Sequence, residues 1–151
     1  MSPTGTPSSR ISLAALLLRV VFGGAMLTVY GLPKLADFAH WVETFPTPFG
    51  WNPTVAMGLI VLAEVGCAAL VLTGWKTRWA ALPLVLAMAV ALLVVHGGAG
   101  WNAVDAVTGL PRQGGGEQER SALYLTGFAA IALLGGGRWS VDGWLQRRVR
   151  R

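Results

Sequence analysis

Six residues of this sequence can hold or move charge in or beside apolar surroundings: Arg19, Tyr30, Lys34, Glu64, His96 and Glu119. Arg19 lies in LLLRVVFGG and Glu64 in LIVLAEVGCAAL, so each is flanked by aliphatic residues. A lone charge is expensive there, and two opposite charges relieve each other. Counted from helix ends on one side of the molecule, Arg19 lies ~12 Å deep and Glu64 ~13.5 Å deep at 1.5 Å per residue. The matching depths predict a buried Arg19–Glu64 ion pair. Such a pair either fixes helix register or marks a site.

Lys34 is the penultimate residue of the stretch VYGLPKL, where Gly31 and Pro33 are expected to stop one helix and restart the chain. At 100° per residue Arg19, Gly23, Met26, Tyr30, Pro33 and Lys34 share one face. That stripe leads from a buried arginine to a lysine at the rim. His96 closes a later apolar segment and Glu119 opens the next, so Tyr30, Lys34, His96 and Glu119 are the candidate ligand-binding residues at one mouth. There a lysine can neutralise Glu119 and donate hydrogen bonds to a polar head group. The competing reading is an anchor whose ammonium reaches the lipid headgroups.

Other chemistries are poorly served. The single cysteine, Cys67, forms no intramolecular disulfide and no Cys-x-x-Cys pair. Two histidines, His40 and His96, without a Cys/His cluster argue against a metal centre. Neither is placed mid-helix in the manner of membrane haem ligands. The glycine runs at 114–116 and 135–137 lack a Walker lysine and read as loop and helix terminus. No redox cofactor is encoded.

The elements that must carry these residues are membrane helices. In 151 residues, 54% are hydrophobic and 13% charged, too apolar for an ordinary soluble domain. The expected fold is all-α, an integral membrane four-helix up-down bundle. Its spans are expected at about 11–32, 54–73, 77–95 and 119–136, within a domain covering 11–137. The fourth is short and needs Glu119 and Arg120 at the headgroups. The first apolar stretch exceeds a signal-peptide core and is expected to be retained. Residues 1–10, rich in Ser, Thr and Pro, read as a disordered tail. LADFAHWVETF, with apolar residues at helical spacing and Asp37, His40 and Glu43 between them, reads as a short interfacial helix after the first span.

Charge sets the orientation. Arg10, Lys76, Arg78, Arg138, Arg147, Arg148, Arg150 and Arg151 fall on one side, against Lys34, Arg112 and Arg120 on the other. Both termini are therefore expected in the cytoplasm. The net charge of +5 is concentrated in residues 138–151, a basic amphipathic tail expected to lie on anionic lipid rather than on nucleic acid.

Several motifs now stand in order: Arg19 with Gly23, G-L-P-K-L at 31–35, Glu64, L-T-G-W-K-T-R at 72–78, E-x-x-x-x-Y at 119–124 and G-G-G-R-W-S-V-D at 135–142. Together they resemble the DoxX family of small four-helix bacterial membrane proteins over nearly the whole chain. The resemblance implies the bacterial inner membrane and a role beside quinone or thiol redox chemistry. A quinone is the implied ligand, and a protein partner or a homo-oligomer the implied assembly. Any enzymatic activity would be that of an oxidoreductase subunit without its own redox centre. Two other readings compete: a non-catalytic anchor or assembly subunit, and a small proton-coupled transporter using Glu64. Against the transporter stands Arg19, which as a partner of Glu64 would hinder proton exchange.

Overall fold

The computed structural model describes residues 9–45, 49–96 and 116–149, and the described residues contain helices and no strand. Helix α1 (Ser9–Ala36) is followed by the short α2 (Phe38–Thr44), then α3 (Pro53–Thr73), α4 (Thr77–Val95), α5 (Glu117–Leu134) and α6 (Val141–Val149). Among these, α1, α3 and α4, with 28, 21 and 19 residues, are long and apolar enough to cross a membrane. The protein is a multi-pass membrane protein. Helix α5 has 18 residues, but its first turn holds Glu117, Glu119 and Arg120.

The distribution of side-chain size suits a lipid solvent. Leu13, Leu17, Val21, Leu62, Leu86, Leu93 and Leu133 point outward, while Ala15, Met26, Met57, Ala68, Ala81 and Met88 are buried. Small and unbranched residues inside let backbones approach, and aliphatic residues outside match the acyl chains. Leu84, Val71, Phe128 and Ile131 complete the core between α3, α4 and α5. Asn52 caps α3 by accepting from Thr54 N at 3.0 Å and Val55 N at 3.4 Å, and Pro53 stands at its first position.

The turn between α3 and α4 is the first of two polar fixtures. Gly74, at φ 78°, ends α3 with its N–H on Val71 O (3.1 Å), while Trp75 N reaches Leu70 O (3.0 Å). A Cβ at Gly74 would overlap the Arg19 guanidinium, so both φ and space demand glycine there. The segment before α6 packs onto this turn. Asp142 N donates to Gly74 O at 3.0 Å. Its carboxylate accepts from Lys76 N, Thr77 N and Thr77 Oγ1 at 2.8–2.9 Å, closing the start of α4. Arg138 N donates to Ser12 Oγ at 3.4 Å, which brings the beginning of α1 to the same end. Arg10, Lys76, Arg78, Arg138, Arg147 and Arg148 lie on the segments gathered here, hereafter the basic end.

Helix α1 departs from the expected boundary. Pro33 was expected to free the chain, yet the helix runs through it to Ala36 and breaks at Asp37 (φ −122°, ψ 52°). The reason is a wide turn over Met26–Gly31, in which Leu32 N reaches Leu27 O five residues back. That turn changes the hydrogen-bond register just before the residue that lacks an N–H. Similar wide turns occupy Arg19–Gly23, Leu62–Cys67 and Ala91–Val95. The short helix expected after the first span is α2, beginning after Asp37. Of the expected disordered tail, residues 1–8 lie outside the described residues, as does most of the loop 97–116, and Ser9 and Arg10 are already helical.

Helices α1 and α3 run antiparallel in close contact. Gly23 sits against Val71 and Ala68, and Gly31 sits against Glu64. A Cβ on Gly31 would lie 2.7 Å from Glu64 O and 2.9 Å from Val65 Cγ2. By contrast Gly24 and Gly58 have nothing within 4 Å of that position. Replacing Gly31 with Val should therefore lower stability by on the order of 1–3 kcal/mol. Gly24→Ala and Gly58→Ala should be neutral or slightly stabilising, because alanine is the better helix former. Thermal melts of the three variants in one detergent make the comparison.

Candidate functional site

The expected Arg19–Glu64 pair does not form. Glu64 is bound by Lys34, whose Nζ lies 2.6 Å from Oε1 and 2.7 Å from Oε2. Side-chain direction explains the exchange. In a helix the Cα–Cβ bond tilts toward the N-terminus. On α1 that tilt carries Lys34 back into the protein; on the antiparallel α3 it carries Glu64 toward the far end, and the two meet above Gly31. Arg19 obeys the same rule and points away, to the basic end.

Helix offset adds to this. Because Gly31 is level with Glu64 and Gly23 with Val71, Arg19 stands near the last turn of α3. Its side chain is buried at 1% exposure, with Nη2 donating to Trp139 O at 2.6 Å and Nη1 to Leu72 O at 3.4 Å. The unpaired carbonyls at the end of a helix carry partial negative charge, so a cation is favoured there. Arg19 Nε has no protein partner. Arg19 is thus a strut of the basic end.

The Lys34–Glu64 pair has an aromatic setting. Glu64 is 4% exposed and Lys34 13%, so the carboxylate is enclosed and the lysine side chain is partly exposed. Lys34 Nζ lies 6.0 Å from the Tyr30 ring and 6.0 Å from the Trp41 ring of α2, within range of attraction to an aromatic face. Tyr30 meets Tyr124 of α5 edge to face at 5.4 Å. Tyr124 in turn contacts Phe22 at 5.6 Å and Phe128 at 6.1 Å. Helix α5 is therefore wedged against α1 by rings that pack beside Tyr30.

Of the six expected residues the structure brings Tyr30, Lys34 and Glu64 together. His96 is half-buried at the end of α4, its N–H on Ala91 O at 2.8 Å. Glu119 is exposed in the first turn of α5, and the carboxylate that neutralises Lys34 is Glu64 instead. Trp41 and Tyr124 belong to the site without having been singled out for it. Trp41 was read only as part of the apolar face of an interfacial helix, and Tyr124 only as the last letter of E-x-x-x-x-Y.

An apolar groove of about 370 Å³ opens between α3 and α4. Ile60, Ala63 and Cys67 line one wall, Pro83 and Ala87 the other, and Phe45, the residue just after α2, stands with Phe49 and Trp51 at one end. Trp41 and Phe45 are one helical turn apart, so α2 bridges the ion pair and the groove. No group of three His, Cys, Asp or Glu side chains able to hold a metal occurs among the described residues.

This arrangement sits inside a segment with a known family pattern. Residues 14–97, which carry Arg19, Gly31, Lys34 and Glu64, match the DoxX family. The chain belongs to the DoxX family. No curated protein and no solved structure matches it significantly. In this DoxX protein the G-L-P-K-L motif and Glu64 are two halves of one ion pair, while T-G-W-K-T and R-W-S-V-D interlock through Asp142.

The pairing makes a double-mutant cycle informative. Lys34→Met alone should destabilise by on the order of 3–5 kcal/mol, because it leaves Glu64 buried and unpaired, and Lys34→Met with Glu64→Leu should recover most of that loss. Arg19→Leu and Glu64→Leu should be additive to within about 0.5 kcal/mol. Melting curves of the single and paired variants read out both couplings.

Proposed function

We propose that this DoxX protein is a membrane subunit associated with a quinone-linked or thiol-linked oxidoreductase, and that Lys34 holds the polar head of a quinone-like ligand while a partner protein carries the redox centre. One observation carries the reading. An ammonium has three N–H donors, and Glu64 engages Lys34 through two oxygens at 2.6 and 2.7 Å, which leaves a donor for a ligand acceptor at a partly exposed position.

The residues present fit such a ligand. Quinone carbonyls are acceptors, for which Lys34 supplies a charged donor, and the flat ring suits the faces of Tyr30 and Trp41. An isoprenoid tail needs an apolar channel, and the groove between α3 and α4 begins one turn of α2 away. When bound, a quinone supplies two-electron, two-proton chemistry. The chain's own contribution is to orient the head group, hold Lys34 in place through Glu64, and back the site with the rings of Tyr124 and Phe22.

A second reading gains from the same pair. Lysine, unlike arginine, can release a proton, so a Lys34–Glu64 couple can serve proton-coupled transport where an Arg19–Glu64 pair could not. The non-catalytic anchor is the reading in which the pair has no ligand. We further propose that α5 is the fourth crossing of an up-down bundle in a bacterial inner membrane, with the basic end in the cytoplasm. A carboxyl-terminal reporter should then read cytoplasmic and one inserted in the 97–115 loop external; the opposite result reverses the assignment.

The ligand is tested with the charge-free Lys34→Met, Glu64→Leu protein, which should remain folded. A short-chain quinone analogue should bind it on the order of 10–100-fold more weakly than the wild type, the value of a charged hydrogen bond. Lys34→Arg should retain part of the affinity. Unchanged binding by the charge-free protein sinks the site. Co-purification with a flavin-, haem- or metal-bearing partner supports the subunit role, and purification as a bare homomer argues for the anchor or the carrier.

A further inference from the structure

The basic end carries a feature that the ion pair and the groove do not use. Four tryptophans are exposed there: Trp75 (49%), Trp79 (75%), Trp139 (53%) and Trp144 (46%). Exposed indoles in such a cluster mark the headgroup layer of a membrane. In the same layer lie Lys76, Arg78, Arg138, Arg147 and Arg148.

Among the described residues the carboxylate near these cations is Asp142, and it is committed. Its two oxygens take the Lys76 and Thr77 backbone N–H groups and the Thr77 hydroxyl. The same three hydrogen bonds fasten the start of α6 to the α3–α4 turn. The arginines of α6 are therefore held against the protein, with Arg147 Nη1 donating to Arg138 O at 2.8 Å and the Arg148 guanidinium stacked 3.9 Å from the Trp144 ring. Arg78, exposed in the first turn of α4, lies against the close of α5, its Nε 3.0 Å from where a Gly135 Cβ would stand.

From this we infer that the basic end binds the phosphodiester headgroup of an anionic glycerophospholipid, with Arg78 of α4 and Arg148 of α6 among the cations that hold it. The exposed Trp75, Trp79, Trp139 and Trp144 lie on the same segments as these cations. The occupant is a lipid because the site lies at the membrane surface, among indoles and beside the outward leucines of α4, Leu82 and Leu86. A free polyanion would gain nothing from those groups.

The full-length protein in nanodiscs of phosphatidylcholine doped with phosphatidylglycerol provides the test, with bound lipid counted by native mass spectrometry after transfer to detergent. The wild type should retain phosphatidylglycerol in preference to phosphatidylcholine, and the preference should weaken with added salt. Arg78→Gln and Arg148→Gln should each reduce it about fivefold, from ~1 kcal/mol per surface cation. Both variants should melt like the wild type in phosphatidylcholine alone, since neither arginine contributes a fold hydrogen bond described above. Equal retention of the two lipids by wild type, or unchanged preference in both variants, overturns the site. Complete displacement by millimolar inorganic phosphate overturns the lipid as its occupant. The quinone reading stands or falls separately, because Lys34 and Glu64 are untouched in these variants.

Discussion

A glutamate in the middle of α3 must be neutralised within the protein, and the way this happens shapes the rest of the bundle. Lys34 reaches Glu64 only because Gly31 lets the backbone of α1 rest on the carbonyl of Glu64 itself. A buried ion pair has a large desolvation cost and tolerates little misalignment. The separation of α1 and α3, their relative offset and the path of α1 through Pro33 are all consequences of that meeting. The wide turns at Met26–Gly31 and Leu62–Cys67 lie on the two strands of the contact, one on each helix. Wide turns of this kind carry an extra residue per turn and re-aim the side chains beyond them, which suits a site that must join residues from two helices.

A second polar fixture holds the opposite end, and the two do different work. At the basic end Arg19 and Asp142 each bind backbone: the guanidinium takes carbonyls at the close of α3 and before α6, and the carboxylate takes the N–H groups at the start of α4. These are interactions with helix termini, where partial charges already wait for a partner. At the far end the charges bind each other and leave a donor over. The first arrangement closes on itself; the second leaves the lysine side chain partly exposed. Between them the core holds only small, aliphatic, sulfur and aromatic side chains, so the ends do not share a polar path through the described residues.

Much of this could be read from residues in order. The apolar stretches found the three membrane-competent helices within a few residues, LADFAHWVETF gave a short helix, and the motif order pointed to the DoxX family. The partner of Glu64 was not found because depth was counted from Cα positions alone. Counting residues treats a side chain as if it stood perpendicular to its helix, whereas Arg19 and Glu64, on antiparallel helices, lean in opposite directions. Lys34 was placed outside because proline was taken as a stop, and only the wide turn before it allows the helix to continue. Trp41 and Tyr124 were invisible for a different reason: each touches the site from an element whose packing depends on long-range contact. Asp142, by contrast, lay in a quoted motif whose spacing to T-G-W-K-T carries no local signal across 65 residues.

The bond from Arg19 to Trp139 O joins residues 120 positions apart. Synthesis proceeds from the amino terminus, so α1 meets the membrane before the carbonyl that accepts its arginine has been made. During that interval the guanidinium must keep water or lipid headgroups about it, and α1 is held near the surface at its basic end. Arrival of the segment between α5 and α6 releases that solvation and lets the arginine withdraw to 1% exposure. Maturation of the first helix is thereby timed by a segment that emerges 120 residues after its arginine.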